Sequence, residues 1–167
     1  MSSSRLITSP TGEALLIVDM ISHFEFEDGN KLFANTRRIL EPLADLRSQL
    51  KSAGVPVIYV NDGIGEGGER RAHDLAELKV RSKKARLVLE CLGPEPDDHW
   101  LVKPQRSGFY ATGLSNLLHH LSVGSVIVAG VTTDICVFFT AHDAYMRGYS
   151  IRTPSNCCAA VEESHHE

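Results

Sequence analysis

Apolar residues in this chain come in two rhythms, short unbroken runs and stripes at steps of three and four, and the two alternate. Ala14-Leu15-Leu16-Ile17-Val18 is an unbroken run ending in Asp19. A run without polar alternation suits a parallel strand covered on both faces. Val57-Ile58-Tyr59-Val60, closing on Asn61-Asp62, is a second such run, and His99-Trp100-Leu101-Val102, closing on Lys103-Pro104, a third. Ser125-Val126-Ile127-Val128-Ala129 is the fourth and Tyr149-Ser150-Ile151 the fifth. Between the first two, Ile39, Leu43, Leu46, Leu50 and Ala53 mark one stripe of a helix packed on a sheet. Gly54 is its expected C-cap, and Pro42 inside the stripe predicts either a start near Glu41 or a kink. Glu69 to Leu92 is charged and polar with scattered apolar positions, which predicts one or two exposed helices before Gly93-Pro94-Glu95-Pro96 breaks them. Leu114, Leu117, Leu118 and Leu121 predict a short helix over Thr112 to Leu121. Val137, Ala141 and Ala144 predict another, capped near Thr133 or Asp134 and stopped at Arg147-Gly148. Ala159 to Glu167 reads as the start of a helix cut short, and residues 1 to 13 as a polar lead-in.

Strands alternating with helices predict an α/β fold: three-layer α/β/α, Rossmann-like, with an open, doubly wound parallel sheet. The 167 residues suffice for one domain with its own core, spanning 1–167. In such sheets ligands bind beyond the carboxyl ends of the strands, at the switch point where strand order reverses. With strand order 3-2-1-4-5, the first and fourth strands flank that point. The residues delivered to that edge are Asp19, Asp62, Lys103 and the turn from Val131 to Cys136.

Composition removes several classes of partner. The chain is 43% hydrophobic and carries a formal net charge of −4, with no Lys/Arg cluster interleaved with aromatics, so no nucleic acid is expected. Its longest apolar runs fall far short of a membrane span, so no membrane is expected either. The start Met1-Ser2-Ser3-Ser4-Arg5 lacks a signal-peptide pattern, and Cys91, Cys136, Cys157 and Cys158 show neither zinc nor disulfide spacing. A cytoplasmic location with reduced thiols is the expectation.

Of the candidate chemistry, Cys136 stands first. A thiol in the first turn of a helix meets free amide N–H groups and the positive end of the helix dipole, which favour thiolate. The same cysteine would also serve as a small core residue on the buried face of that helix. Asp19 at a strand end is either a carboxylate within reach of that thiol, making a base and nucleophile pair, or a turn cap. Lys103, at a strand end, reads by itself as a solvated charge. Gly63 to Gly68 has the glycine spacing of a dinucleotide fingerprint, but it follows the wrong strand, and the next strand ends in Lys103 where an acid is needed. A flexible loop beside the site is the preferred reading, and no cofactor is expected.

Three motifs in order resemble the isochorismatase-like cysteine hydrolases, the superfamily of nicotinamidases and related amidases. They are Ala14-Leu15-Leu16-Ile17-Val18-Asp19-Met20 with Phe24; Lys103-Pro104 with Ser107-Gly108-Phe109 and Thr112-Gly113-Leu114; and Gly130-Val131-Thr132-Thr133-Asp134-Ile135-Cys136-Val137. The resemblance implies an isochorismatase-like hydrolase fold and a triad: Cys136 as nucleophile, Asp19 as base and Lys103 as the cation that holds both. It also implies a non-proline cis peptide between Val131 and Thr132, and an oxyanion hole from the backbone N–H groups of Thr132 and Cys136. Phe24, Asn61, Phe109, Tyr110 and Ile135 are candidates for the substrate-binding wall.

One departure from the pattern stands out. The nicotinamidase branch binds a metal through an aspartate and histidines after the second strand, whereas Asn61-Asp62-Gly63-Ile64-Gly65 has no histidine two residues after Asp62, and His73 is isolated. No metal is therefore expected, and nicotinamide is disfavoured as substrate. Retention of Cys136 favours hydrolysis of a carbon–nitrogen bond in a small-molecule substrate. The alternatives are hydrolysis of an isochorismate-like vinyl ether, with Asp19 as acid, and a non-catalytic thiol-bearing scaffold. The resemblance further implies a homo-oligomer.

Overall fold

The apolar runs assemble side by side. In the structure, a computed structural model describing residues 12–62 and 71–166, they form β1 (Gly12–Val18), β2 (Val57–Asn61), β3 (His99–Val102), β4 (Val123–Val131) and β5 (Ser150–Arg152). The sheet order is β3-β2-β1-β4-β5 and every pairing is parallel. Residues 14–18 of β1 are buried throughout, as a run without polar positions requires when both faces of the sheet are covered. Helices flank the sheet in a three-layer α/β/α arrangement. Most of the polar lead-in (residues 1–11) and the glycine segment at 63–68 lie outside the described residues.

The helix after β1 begins earlier than its apolar stripe predicts. Helix α1 runs from Gly29 to Ser52 with Pro42 inside it, so the start near Glu41 is corrected. Leu32, Thr36, Ile39, Leu40 and Leu43 are all buried, which extends the stripe two turns upstream, and Thr36 Oγ1 donates to Leu32 O at 2.8 Å. A helix-interior proline costs about 3 kcal/mol. Burial of four large aliphatic side chains at roughly 1.5–3 kcal/mol each outweighs it. The helix ends where expected, with Gly54 at φ +77° and its N–H on Lys51 O.

Two helices, α2 (Arg71–Arg81) and α3 (Lys83–Leu92), occupy the polar stretch before β3. The second is less exposed than its composition predicts: Ala85, Val88 and Leu92 are fully buried. Helix α4 covers Leu114–His120 and α5 Phe138–Met146.

The expected C-terminal helix is absent. Ser155–Cys157 makes a 3₁₀ turn, Cys158–Ala159 forms a sixth strand, β6, and Glu163–His165 a further 3₁₀ turn. The reason lies in β4, which outruns its neighbour. Strand β5 pairs only with Ser125–Ile127, leaving Gly130 and Val131 to pair with Cys158 and Ala159. Backbone groups at a sheet edge need partners, and this pairing overrides the helical preference of an Ala-Ala-Val-Glu-Glu segment.

Candidate active site

Each strand that reaches the top of the sheet hands over one polar residue. Asp19 follows β1 in the left-handed region, φ +50°, with its N–H on Val60 O at 3.0 Å. Lys103 follows β3, its N–H on Asn61 O at 2.9 Å. Beyond β4 the peptide bond between Val131 and Thr132 is cis, and a π turn over Thr133–Val137 carries Cys136. The Thr132 carbonyl accepts from the N–H groups of both Ile135 and Val137, which pins that turn. Gly130, φ +124°, makes the approach of β4 to β1 possible: a Cβ there would lie 2.1 Å from Val18 O.

These residues converge on the Lys103 ammonium. It donates to Asp19 Oδ2 at 2.8 Å, to Gln105 O at 3.1 Å and to Cys136 Sγ at 3.6 Å. An ammonium has three donors, and these contacts use all of them. The lysine side chain is 1% exposed and that of Asp19 12%. Asp19 Oδ1 accepts from the Asp62 N–H at 2.9 Å, and the Asp19 carboxylate is also hydrogen-bonded to the Cys136 thiol.

Burial raises the Asp19 carboxyl above its ordinary range, and the Asp62 charge adds to this, while Lys103 and the thiol work against it. Burial alone would lower Lys103, but the charge and hydrogen bond of Asp19 hold it above its ordinary value. Burial, reinforced by the Asp19 charge, pushes the Cys136 thiol up to about 12. The thiolate expected from a helix N-terminus is thus corrected. The dipole of one short turn is outweighed by loss of water and by an adjacent carboxylate, which together raise the thiol.

A cavity of about 310 Å³ opens beside this cluster, lined by Phe24, Phe26, Leu32, Val131, Ile135 and Val161 with Asp19, Ser22, Asp62, Arg106, Thr132 and Cys136. Thr132 Oγ1 is buried without a partner among the described residues. Of the five expected wall residues, Phe24 and Ile135 line it. Three do not and are corrected. Asn61 is buried and spends its amide on Ile21 O at 2.7 Å. Phe109 is buried against Tyr149, with the Arg147 guanidinium 4.9 Å from its ring. Tyr110 is 60% exposed and lines a separate depression with Phe139 and Asp143. Ser22, Phe26, Leu32, Asp62, Arg106 and Val161 are lining residues that the sequence reading did not assign to the wall. Asp62 sits at a strand end, which already put it at the carboxyl edge without a role, and Arg106 sits in the lysine loop, where position alone would have flagged it. Val161 arrives from the far end of the chain.

Residues 13–167 match the family model described as the isochorismatase domain. The chain belongs to the isochorismatase family of hydrolases. It is 35% identical over 161 residues to the isochorismatase family protein YaaI of Bacillus subtilis, covering 95% of this chain and 87% of that one. It is 26% identical to the ureidoacrylate amidohydrolase RutB of Methylorubrum extorquens, covering 81% of this chain and 64% of that one. Among solved structures it is similar to the nicotinamidase of Staphylococcus aureus, with TM-score 0.69 and 26% identity over 93% of this chain and 87% of that one.

The described residues of this isochorismatase-family chain do not make a metal site: no group of three or more His, Cys, Asp or Glu among them could hold an ion. The His73 side chain lies outside them. No helix among them is long and apolar enough to cross a membrane.

Proposed function

We propose that the protein hydrolyses a carbon–nitrogen bond of a small-molecule amide through a thioacyl intermediate on Cys136. The observation that carries this reading is the contact set of one ammonium, Lys103 Nζ at 2.8 Å from Asp19 Oδ2 and 3.6 Å from Cys136 Sγ. A base, a cation and a nucleophile meet there beside a cavity of small-molecule size. The activities named for two relatives, a ureidoacrylate amidohydrolase and a nicotinamidase, are both amide hydrolyses and support the same reading.

The protonation pattern decides the order of events. The thiol is neutral and hydrogen-bonded to the Asp19 carboxylate, so attack and deprotonation are coupled: Asp19 takes the sulfur proton as Sγ bonds the carbonyl carbon. The carbonyl oxygen becomes an oxyanion, held by the N–H groups of Thr132 and Cys136, each such donor being worth roughly 3 kcal/mol of barrier. The carbon–nitrogen bond breaks as Asp19 returns its proton to the departing amine. Asp19 then takes a proton from water, the resulting hydroxide attacks the thioester, and the released sulfur recovers the proton. Lys103 remains an ammonium throughout. It keeps the carboxylate ionised despite burial and stabilises negative charge as it develops on sulfur. Thr132 Oγ1, buried without a partner among the described residues, is a polar group left for substrate or water to satisfy.

Acid-quenched mixtures of the enzyme with a panel of small primary amides and ureido compounds test this by peptide mass spectrometry. An acyl adduct on Cys136 is the expected result. Turnover that proceeds in a Cys136→Ala variant would instead favour ether-type hydrolysis with Asp19 as acid.

A further inference from the structure

Among the described residues lining the cavity beside Cys136, Arg106 is a cation that the reacting cluster does not use. Asp19 is engaged by Lys103, by the Asp62 N–H and by the thiol. Arg106 lines the same cavity, is exposed, and has neither ion pair nor hydrogen bond among the described residues. The acid that lines the adjoining depression with Arg106, Asp143, is already engaged by Arg147 at 2.9 Å and by the Ser107 hydroxyl at 2.5 Å. The backbone before Arg106 is anchored to the reacting cluster, because the Gln105 carbonyl accepts from Lys103 Nζ. An unpaired guanidinium is thus held on a fixed loop, at the rim of a cavity whose other walls are largely apolar.

Arginine is charged at every relevant pH, and its planar fork matches a carboxylate with two parallel hydrogen bonds. Asp62 faces the cavity from the side of Asp19, close enough to raise both the Asp19 and the Cys136 pKa. Its charge repels an anion from the reacting end. A carboxylate-bearing amide therefore has one favourable orientation, with its amide at Cys136 and its carboxylate at Arg106. We propose that Arg106 is a specificity-determining residue and that the substrates are small amides carrying a carboxylate on a short, largely apolar body. This rests on Cys136 being the nucleophile.

Two alkylating reagents of nearly equal size separate this proposal from the reading beneath it. Iodoacetate carries a carboxylate and iodoacetamide a neutral amide, and each transfers its CH₂ group to a sulfur, with loss of iodide and of the thiol proton. Labelling rates at Cys136 are read by peptide mass spectrometry and referred to Cys91, an exposed thiol on α3 outside the cavity. The iodoacetate-to-iodoacetamide ratio at Cys136, referred to that at Cys91, reads the attraction of Arg106 against the repulsion of Asp62. It should fall about tenfold in Arg106→Ala, with part retained in Arg106→Lys, which keeps the charge but loses the fork. In turnover, monoamides of dicarboxylic acids should be used in preference to their methyl esters, with the preference lost in Arg106→Ala. If both reagents label Cys136 with the same ratio in wild type and Arg106→Ala, the anion subsite is overturned and the nucleophile stands. Where the raised Cys136 thiol reacts with neither reagent, turnover decides: equal use of monoamides and methyl esters by wild type and Arg106→Ala overturns the anion subsite, and undiminished turnover in Cys136→Ala overturns the nucleophile.

Discussion

Lys103 Nζ lies 2.8 Å from Asp19 Oδ2, although the strands carrying the two residues are not neighbours. Strand β2 separates β3 from β1, so the lysine spans two strand spacings of about 4.8 Å each. It does so by crossing the carboxyl end of β2, with its own N–H fixed to Asn61 O and the next β2-side amide, Asp62, bonded to Asp19 Oδ1. Three strand ends are thereby tied into one unit.

That unit makes Lys103 costly to replace. Lys103→Met keeps the length of the side chain but leaves Asp19 without its counter-charge in a buried site. Loss of one partner of a buried pair costs about 3–5 kcal/mol. Urea unfolding should register a destabilisation of that order, and turnover should fall at least about 100-fold from loss of charge stabilisation. A variant of wild-type stability and activity would mean the pair is incidental.

The acid limb of the pH profile should respond to Asp62. Catalysis as proposed needs Asp19 ionised, so activity rises with pH through the Asp19 pKa, which burial and the Asp62 charge hold above the ordinary value of 3.8. Asp62→Asn removes one of those two causes and keeps the backbone N–H on Asp19. The limb in kcat/KM should move to lower pH. Stability should move as well. A carboxyl with a raised folded pKa contributes stability below its unfolded pKa and loses it as pH rises through the folded one. Easing the ionisation of Asp19 should therefore raise Tm of Asp62→Asn at neutral pH. An unchanged acid limb would show that another group controls it.

The thiol itself should titrate late. With Cys136 pushed up to about 12, the ultraviolet absorbance of thiolate, taken as the difference between wild type and Cys136→Ala, should stay flat through neutral pH. A step below pH 8 would mean a preformed thiolate–ammonium pair with Lys103, and Asp19 would not be the base that activates the sulfur.

The strand ends were legible in sequence because each rests on one local rule. Unbroken runs such as Ala14–Val18 and Val57–Val60 belong to two-sided burial, and the carboxylate that follows each run within two residues, Asp19 or Asp62, emerges at the carboxyl edge. What escaped depended on contacts distant in sequence. The C-terminal segment reads as helix until β4 is known to outrun β5, leaving Gly130 and Val131 to pair with Cys158 and Ala159. The thiol pKa could not be read because a helix N-terminus is visible in sequence, whereas the burial and the carboxylate that outweigh it are not. Phe109 and Tyr110 sit in the loop that carries Arg106, yet one turns inward against Tyr149 and Arg147 and the other toward solvent. Periodicity does not govern a loop, so side-chain direction there is set by packing alone.

The claim on which the rest depends is that Cys136 forms the bond to substrate, and the steady-state turnover of Cys136→Ala beside wild type, across a panel of small amides, measures it directly. Cys136 is 8% exposed and its sulfur is held by Lys103 and Asp19, so the alanine variant loses the nucleophile while the ammonium–carboxylate pair remains. Turnover should drop by about 10⁴-fold or more, to the residue left by binding and oxyanion stabilisation alone, with the fold intact by circular dichroism. A folded alanine variant that retains hydrolysis within tenfold of wild type would contradict the account.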